Sequence, residues 1–181
     1  MITMRKVLLC MLALLPLFFL SCKTNSTKRI CHIEGTISPN LNGKKIFLVP
    51  ARGIQDAAHV DSVVIKDGKF AFDKDTVGMY SIRVDYHYRD GLQELLVVTE
   101  PGNVKVIISS NSVSSGTPQN DSLQVWKDFM ISQNMKFAQL KQSGANEVQI
   151  KEFQANFDKL NKAFAGRQKP GVFKDFLDGN F

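Results

Sequence analysis

Hydrophobic and polar positions alternate along residues 29–110 with the two-residue period of half-buried β-strands. In segment 79–85, for example, Tyr80, Ile82 and Val84 are expected to point inward, and Ser81 and Arg83 outward. Turn-forming residues separate one alternating segment from the next. The predicted strands span residues 30–37, 45–49, 60–66, 69–73, 79–85, 93–99 and 103–108. About seven short strands at this spacing favour an antiparallel β-sandwich or a partly open barrel.

The strongest local signal is the pair Asp67-Gly68 between segments 60–66 and 69–73. These two residue types accept the positive φ angles that a two-residue hairpin turn requires. Phe70 and Phe72 share one face of the second arm, which we expect to be buried. The sequence therefore predicts a β-hairpin here.

The pattern changes after residue 110. Residues 111–119 are rich in serine and are predicted to form a linker, and Asn120, Asp121 and Ser122 are candidate N-caps for a helix. Apolar residues then recur at helical spacing in two stretches separated by Ser143-Gly144, and a short third helix is expected after residue 171. Residues 120–181 are therefore predicted to form a helical hairpin region, with one apolar face available to pack against another surface. Together with the strands, this gives an expected fold class of α+β.

The N-terminus resembles a bacterial lipoprotein leader. Arg5 and Lys6 precede an apolar run over residues 7–20, and Ser21 precedes Cys22. The run is shorter than the roughly 20 residues that cross a bilayer. Residues 1–21 are thus predicted to be a signal peptide, Cys22 the lipidated residue, 22–28 a polar tether and 29–110 the β-domain. Phe19 stands where the strict lipobox has an aliphatic residue, so an ordinary cleaved signal or an uncleaved helix stays an alternative.

The predicted location is the cell envelope, with the protein held on a membrane by its lipid and facing the periplasm. The tether has no acidic cluster of the kind that directs lipoproteins to the cell surface, which favours the periplasmic side. Of the two membranes, we expect the outer membrane. Arg5 and Lys6 in the leader contribute two of the formal charges of +6, and the remaining excess is too small to indicate a nucleic-acid partner. Cys31 alternates with Ile33 and is expected to be a small buried hydrophobe rather than a nucleophile.

Several short motifs together resemble a known domain type. They are Glu34-Gly35-Thr36-Ile37, residues 61–72 around Asp67-Gly68, Glu100-Pro101-Gly102-Asn103 and residues 116–121. This order is similar to the uncharacterised β-rich domain that precedes a thioredoxin-like domain in many periplasmic lipoproteins, over residues 29–165. The resemblance implies a fold and a thioredoxin-like protein partner. No Cys-x-x-Cys is present up to Phe181, so redox activity is assigned to no residue here.

The sequence supplies few candidates for chemistry. The three histidines, His32, His59 and His87, lie too far apart for paired metal ligands, and neither a catalytic residue nor a cofactor is predicted. An aromatic cluster, Tyr86, His87, Tyr88 and Arg89, is a candidate surface for a glycan or a peptide, although a plain polar loop explains it as well.

One modification motif accompanies these candidates. Thr76 follows Asp75 in the Asp-Thr-apolar pattern of periplasmic O-glycosylation and is the preferred acceptor among three such motifs.

We therefore expect a non-catalytic lipoprotein that binds or scaffolds at the membrane surface. Two alternatives stay open at this point. The chain could be the accessory N-terminal part of a truncated thiol–disulfide oxidoreductase, or a small glycan or peptide binder that uses residues 86–89.

Overall fold

A computed structural model describes residues 29–84 and 92–180. These residues form eight strands, three α-helices and a 3₁₀ turn, Pro39–Leu41. None of the described helices is long and apolar enough to span a membrane. In chain order the elements are β1 Cys31–Thr36, β2 Lys45–Pro50, β3 Asp61–Val64, β4 Lys69–Lys74, β5 Met79–Val84, β6 Leu95–Val98, β7 Gly102–Ile107, β8 Val113–Ser115, α1 Pro118–Gln142, α2 Glu147–Gly166 and α3 Val172–Asp178.

The strands form two four-stranded sheets that face each other, as the alternation predicts. Sheet 1 has the order β4-β1-β7-β8, and sheet 2 has the order β3-β2-β5-β6. Neighbouring strands are antiparallel except β1 and β7, which run parallel with Ile33 opposite Val104. The α+β fold with a β-sandwich is therefore confirmed, and sheet 1 is mixed. Alternation along a strand sets its buried face but does not specify its partner's direction.

The core lies between the sheets and uses the predicted inward positions. Ile33, Ile46, Leu48, Val97 and Val104 are completely buried, with 0% exposure. Each such side chain contributes about 1.5–3 kcal/mol relative to an exposed one. This core also contains Cys31, Phe70 and Phe72, all expected to be buried.

Gly35 makes room for one of these rings. Gly35 is paired with Phe70 across β1 and β4. A Cβ at Gly35 would lie 1.9 Å from Cζ of Phe70, so the ring covers the glycine. No residue with a side chain fits there while the ring keeps its place.

The Asp67-Gly68 turn is present, but its two arms go to different sheets. Asp67 and Gly68 have φ angles of 52° and 66°, and Lys66 and Lys69 exchange backbone hydrogen bonds of 3.0 and 2.9 Å. Beyond that bridge β3 pairs with β2, and β4 pairs with β1. The predicted turn is confirmed, whereas the expected long hairpin is reduced to one bridge at the edge of the sandwich.

The segment predicted as a linker, residues 111–119, is part of the fold. It contains β8, which pairs with β7, and α1 begins at Pro118 with Thr117 as its N-cap. Ser112 and Ser114 are 0% and 3% exposed. The Ser112 hydroxyl donates to the carbonyl oxygen of Gln93 at 2.6 Å. Serine composition indicated a loop, but the segment is held by hydrogen bonds from the Ser112 hydroxyl and from the Ser114 backbone N–H, which donates to Gln124 Oε1. The Ser114 hydroxyl is buried without a partner among the described residues.

The outer face of sheet 2 is also covered. Ser81, expected to point to solvent, is 1% exposed, and its hydroxyl donates to Glu94. Val49 and Val98 have exposures of 1% and 0%. Val98 belongs to a second apolar cluster with residues of the C-terminal helices. Both faces of this sheet are therefore buried in part, and the inward/outward assignment for Ser81 is wrong.

Candidate functional site

The helical hairpin has one half that rests on the sandwich and one half that leaves it. Thr117 lies close to Gly102, beside the start of β1, at what we call the lower end of the sandwich. Farther along α1, Gln124 accepts a hydrogen bond from the backbone N–H of Ser114, and Lys127 donates to the carbonyl oxygen of Ser112. The helix thus passes toward the opposite, upper end.

The remaining residues of α1, 128–142, extend about 22 Å at 1.5 Å per residue. Within the part of the chain that the structure describes, no hydrogen bond joins them to a strand. We call residues 128–160 the arm and the rest of the helical region the base.

Asn120 fixes the base to the edge of sheet 2. Its side chain is 0% exposed and pairs with Val98 as a strand would. The amide Nδ2 donates to the carbonyl oxygen of Val98 at 2.8 Å, and Oδ1 accepts from the backbone N–H of Val98 at 2.9 Å. Nδ2 also donates to the hydroxyl of Thr117 at 2.8 Å. The side chain therefore satisfies backbone groups of the edge strand β6 that would otherwise be buried without partners.

Gln119 ties three elements together at the lower end. The Glu100 carboxylate accepts from the Gln119 backbone N–H at 2.6 Å and from its Nε2 at 3.1 Å. The Gln119 Oε1 accepts from the backbone N–H of Phe173 at 3.0 Å. A carboxylate at the first turn of α1 also favours the positive end of the helix dipole.

Aromatic contacts complete the base. The Trp126 ring packs edge-on against Phe173 and Phe176, with centroid distances of 6.3 and 5.9 Å. Its indole N–H donates to Asn161 Oδ1 at 3.1 Å. Asn161 is 1% exposed, whereas the neighbouring Leu160, the last residue of the arm, is 40% exposed. The base is thus a packed core with polar ties.

The arm contains phenylalanines that contact each other across the two helices. Phe129 stacks on Phe157 with a centroid distance of 6.1 Å, and Phe137 stacks on Phe153 at 5.4 Å. These four rings are only half-buried, and a cavity of about 170 Å³ is lined by three of them, Phe137, Phe153 and Phe157. We call the four rings the arm surface. Two helices without a third layer leave an apolar stripe partly in water.

Exposed aliphatic side chains lie on other faces of the two arm helices. Met135 in α1 and Val148 in α2 have exposures of 60% and 63%. The helices themselves are well formed: Asn146 caps α2 through a reciprocal pair of hydrogen bonds with Gln149, both 3.0 Å. The arm is therefore regular in structure and open on its apolar side.

The predicted ligand loop lies outside the described residues. This applies to Tyr86, His87, Tyr88 and Arg89. Arg83 precedes the loop in sequence and Glu94 follows it. The two form a half-buried ion pair in which Arg83 Nε donates to Glu94 Oε1 at 2.6 Å. The backbone N–H of Gln93, next to Glu94, donates a hydrogen bond to the carbonyl oxygen of Ser109. Ser109 lies at the upper end of the sandwich, from which the arm extends.

The other predicted site residues can be located in part. Cys22 also lies outside the described residues. Thr76 is exposed in the turn between β4 and β5, where its backbone oxygen accepts from the Thr99 hydroxyl at 2.6 Å. Its own hydroxyl has one long contact, 3.3 Å, to Asp75 Oδ1. An enzyme could therefore reach this hydroxyl without disturbing a strand.

Cys31 has the properties of an inert thiol. It is 1% exposed, and burial, with smaller contributions from Glu100 and Asp73, raises the pKa of its thiol to about 11. The thiolate that redox or nucleophilic chemistry requires is therefore scarce at neutral pH. Its prediction as a buried hydrophobe is confirmed.

His32 is held between two carboxylates on the solvent face of sheet 1. Its Nδ1 donates to Asp73 Oδ1 at 2.5 Å, and its Nε2 donates to Glu34 Oε1 at 3.1 Å. The hydrogen bond to Asp73, followed by that to Glu34, raises the pKa of His32. In the described ranges, no group of three or more potential ligand side chains could hold a metal ion.

Comparison with known families identifies the β-domain. A family model described as a domain of unknown function (DUF4369) matches residues 31–123, about half of the chain. The chain belongs to this family. The match runs from the start of β1 to Leu123 in the base, so it is shorter than the expected similarity over 29–165, and the arm lies beyond it. No curated protein and no solved structure matches the chain.

Proposed function

We propose that this DUF4369 chain is a non-catalytic, lipid-anchored protein of the periplasmic face of the outer membrane that binds another envelope protein through its arm. The observation that supports this proposal best is the direction of the arm. The tether leads into β1 at the lower end of the sandwich, and the arm extends past the upper end. A lipid on Cys22 would therefore place the arm surface away from the membrane.

The composition of the arm surface favours a protein partner. Aromatic residues are enriched at protein interfaces, and the Phe137 and Phe153 rings of the arm surface are only half-buried. Large aromatic side chains also supply much of the binding free energy at such surfaces. The resemblance noted in the sequence makes a thioredoxin-like domain the first partner to test. In that case this chain would be the accessory component, since Cys31 is buried.

The arm can be tested with a photo-crosslinking amino acid in the native envelope. We would introduce the crosslinker at Gln154, an exposed residue beside the Phe137 and Phe153 rings, with Lys44 in the turn before β2 as the control position. A single discrete adduct from Gln154 that disappears in Phe137→Ser and Phe153→Ser supports the proposal. Mass spectrometry then shows whether the adduct contains a thioredoxin-like protein. Equal adducts from both positions would contradict a role for the arm.

The anchor needs its own test, which is the intact mass of the protein extracted from native membranes. We expect residues 22–181 with acyl chains, and an unacylated chain for Cys22→Ser. The same spectrum would also show the mass of a glycan. Loss of that mass in Thr76→Ala would assign the glycan to Thr76. A mass larger by a whole domain would favour the accessory part of an oxidoreductase instead.

A second candidate function is ligand binding by residues 86–89. Its support comes from the sequence, which places two tyrosines, a histidine and an arginine next to one another. Replacement of Tyr86 and Tyr88 by alanine should abolish binding of any glycan or peptide found in a screen. A hit that binds the double variant equally well would exclude this loop.

A further inference from the structure

A large groove lies on the solvent face of sheet 1, away from the arm surface. It has a volume of about 990 Å³, at the upper end of the range for ligand sites. Outward-facing residues of β4, β1 and β7 form its floor, and the end of β3 with the segment after it forms one wall. Its lining includes three apolar residues and three lysines: Val64, Ala71, Ile107, Lys66, Lys69 and Lys105.

Several apolar side chains of the groove are exposed to solvent. Val64 and Ile107 have exposures of 44% and 53%, and Ala71 is also exposed. Outward positions on a sheet that only meets water are normally polar. Val64, Ala71 and Ile107 instead give the groove a mostly apolar surface that a hydrocarbon chain can cover.

The charged part of the groove is positive. Lys66 and Lys69 face each other across the bridge that closes the Asp67-Gly68 turn. Like charges directly opposite each other destabilise a strand pair, and among the described residues neither lysine forms an ion pair with a carboxylate. Lys105 lines the groove as well and is likewise without such a pair in the described part of the chain. These ammonium groups are therefore available to an anion.

One acidic side chain also lines the groove. Glu34 lies next to Lys105 in the register of β1 and β7. Its carboxylate accepts instead from His32 Nε2 at 3.1 Å. The three lysines therefore outnumber the acidic lining, and the net charge of the groove favours a negatively charged ligand.

We propose that this groove binds a single-chain amphiphile with a carboxylate head group, of the fatty-acid class. The head group contacts Lys66 and Lys69, with Lys105 adding to the positive field, and the hydrocarbon chain covers Val64, Ala71 and Ile107. Charge-assisted hydrogen bonds hold the carboxylate, and burial of methylene groups holds the chain. This site is independent of the arm and of the partner proposed for it.

The test uses the full acylated chain in nanodiscs of neutral phosphatidylcholine. The probe is palmitate with a diazirine at the end of its chain and an alkyne for recovery. After irradiation, we expect labelled peptides from β1, β4 and β7. Unlabelled palmitate should compete, and hexadecanol, which lacks the charge, should compete about tenfold less well. Label confined to the arm or to other strands would overturn the proposal.

Two sets of variants separate charge from shape. Lys66→Gln, Lys69→Gln and Lys105→Gln together should reduce labelling about tenfold, since the charged contacts are lost. The matched control replaces Lys136, Lys159 and Lys162, which are exposed on the helices, by glutamine. Ala71→Trp should block labelling by filling the groove, whereas Ala163→Trp on α2 should not. Undiminished labelling in the groove variants would refute the site.

The bilayer itself is the other possible source of an acidic lipid. Vesicles of phosphatidylglycerol test this source directly. If only these vesicles compete and free palmitate does not, the face contacts a membrane surface and the proposed ligand site is wrong. Both groove variants are at exposed positions, and circular dichroism together with thermal unfolding checks that they keep the fold.

Discussion

Leu123 and Leu140 lie on the same helix, both with apolar neighbours at helical spacing, yet they meet different surroundings. Leu123 is 3% exposed and belongs to the cluster of Val98, Phe173 and Leu177. Leu140 is half-buried near the end of the arm. The base therefore has a tertiary core, whereas the arm has only the pairing of its two helices. Helical periodicity therefore predicts an apolar face but does not predict which residues cover that face.

The difference suggests that the two halves serve different purposes. Within the helical region, most of the packing stability comes from the base, where α1 contacts β6 and β8 and where α3 completes the apolar cluster. The arm contributes less to folding, because its rings lose only part of their contact with water. A surface that contributes little to stability can be adapted for binding without loss of the fold.

Truncation of a leucine in α1 should be costly in the base and cheap in the arm. We expect Leu123→Ala to lower the free energy of unfolding by about 2–5 kcal/mol, the cost of a cavity in a packed core. The matched Leu140→Ala should cost less than about 1 kcal/mol, because water already reaches the side chain. Urea unfolding in the Cys22→Ser background measures both. Equal losses would show that the arm is covered in solution.

Loss of the buried amide in the base should be nearly as costly. Asn120→Ala leaves the N–H and C=O of Val98 buried without partners, and each such group costs about 1–3 kcal/mol. We expect a loss of about 2–4 kcal/mol in the same urea experiment. Asn134→Ala, the same change at an exposed position of α1, is the control and should be close to neutral. A small effect at Asn120 would mean that water replaces the amide.

The arm should open locally at a lower free energy than the base. In hydrogen exchange, amides of residues 129–142 should exchange faster than those of residues 121–127, because few buried contacts hold them. Phe137→Ala removes the stack with Phe153, worth about 1 kcal/mol, and should accelerate exchange in the arm alone. The base serves as the internal control. Uniform exchange along α1 would indicate one cooperative unit.

The sequence predicts the elements better than their surroundings. The inward positions of β1 and β4 and the Asp67-Gly68 turn follow from alternation and from local backbone preferences. β8 and the buried Ser81 could not be predicted, since polar residues are buried there only because helices and Glu94 supply their partners. The parallel pairing of β1 with β7 is also a tertiary choice that no local pattern encodes.

The candidate surfaces show the same limit. The phenylalanines of the arm are visible as a helical stripe, but their half-exposure depends on the length of α1 beyond the sandwich. The groove could not be predicted, because Lys66 and Lys105 are distant in sequence and line the same groove only in the folded protein. Residues 86–89 and Cys22 stay predictions.

The smallest expected effect concerns His32, which lies on the sandwich and not on either half of α1. Its pKa is raised in the folded protein, so its protonated form stabilises the fold. That contribution is complete below about pH 6.5, the unfolded value, and is lost as the pH rises through the higher folded value. The His32 side chain is 37% exposed and its partners 65–70%, so solvent screening limits the contribution to about 0.2–1 kcal/mol.

This prediction concerns the difference between two proteins rather than either curve alone, because the other titratable groups are common to both. The free energy of unfolding of wild type minus that of His32→Gln should shrink between pH 6 and pH 8. Asp73→Asn should reproduce most of this change, since Asp73 accepts the shorter hydrogen bond, 2.5 Å against 3.1 Å for Glu34. Leu140→Ala should leave the difference unchanged, because the arm does not contact His32. A difference that grows with pH would mean that the neutral imidazole is the form that the fold prefers.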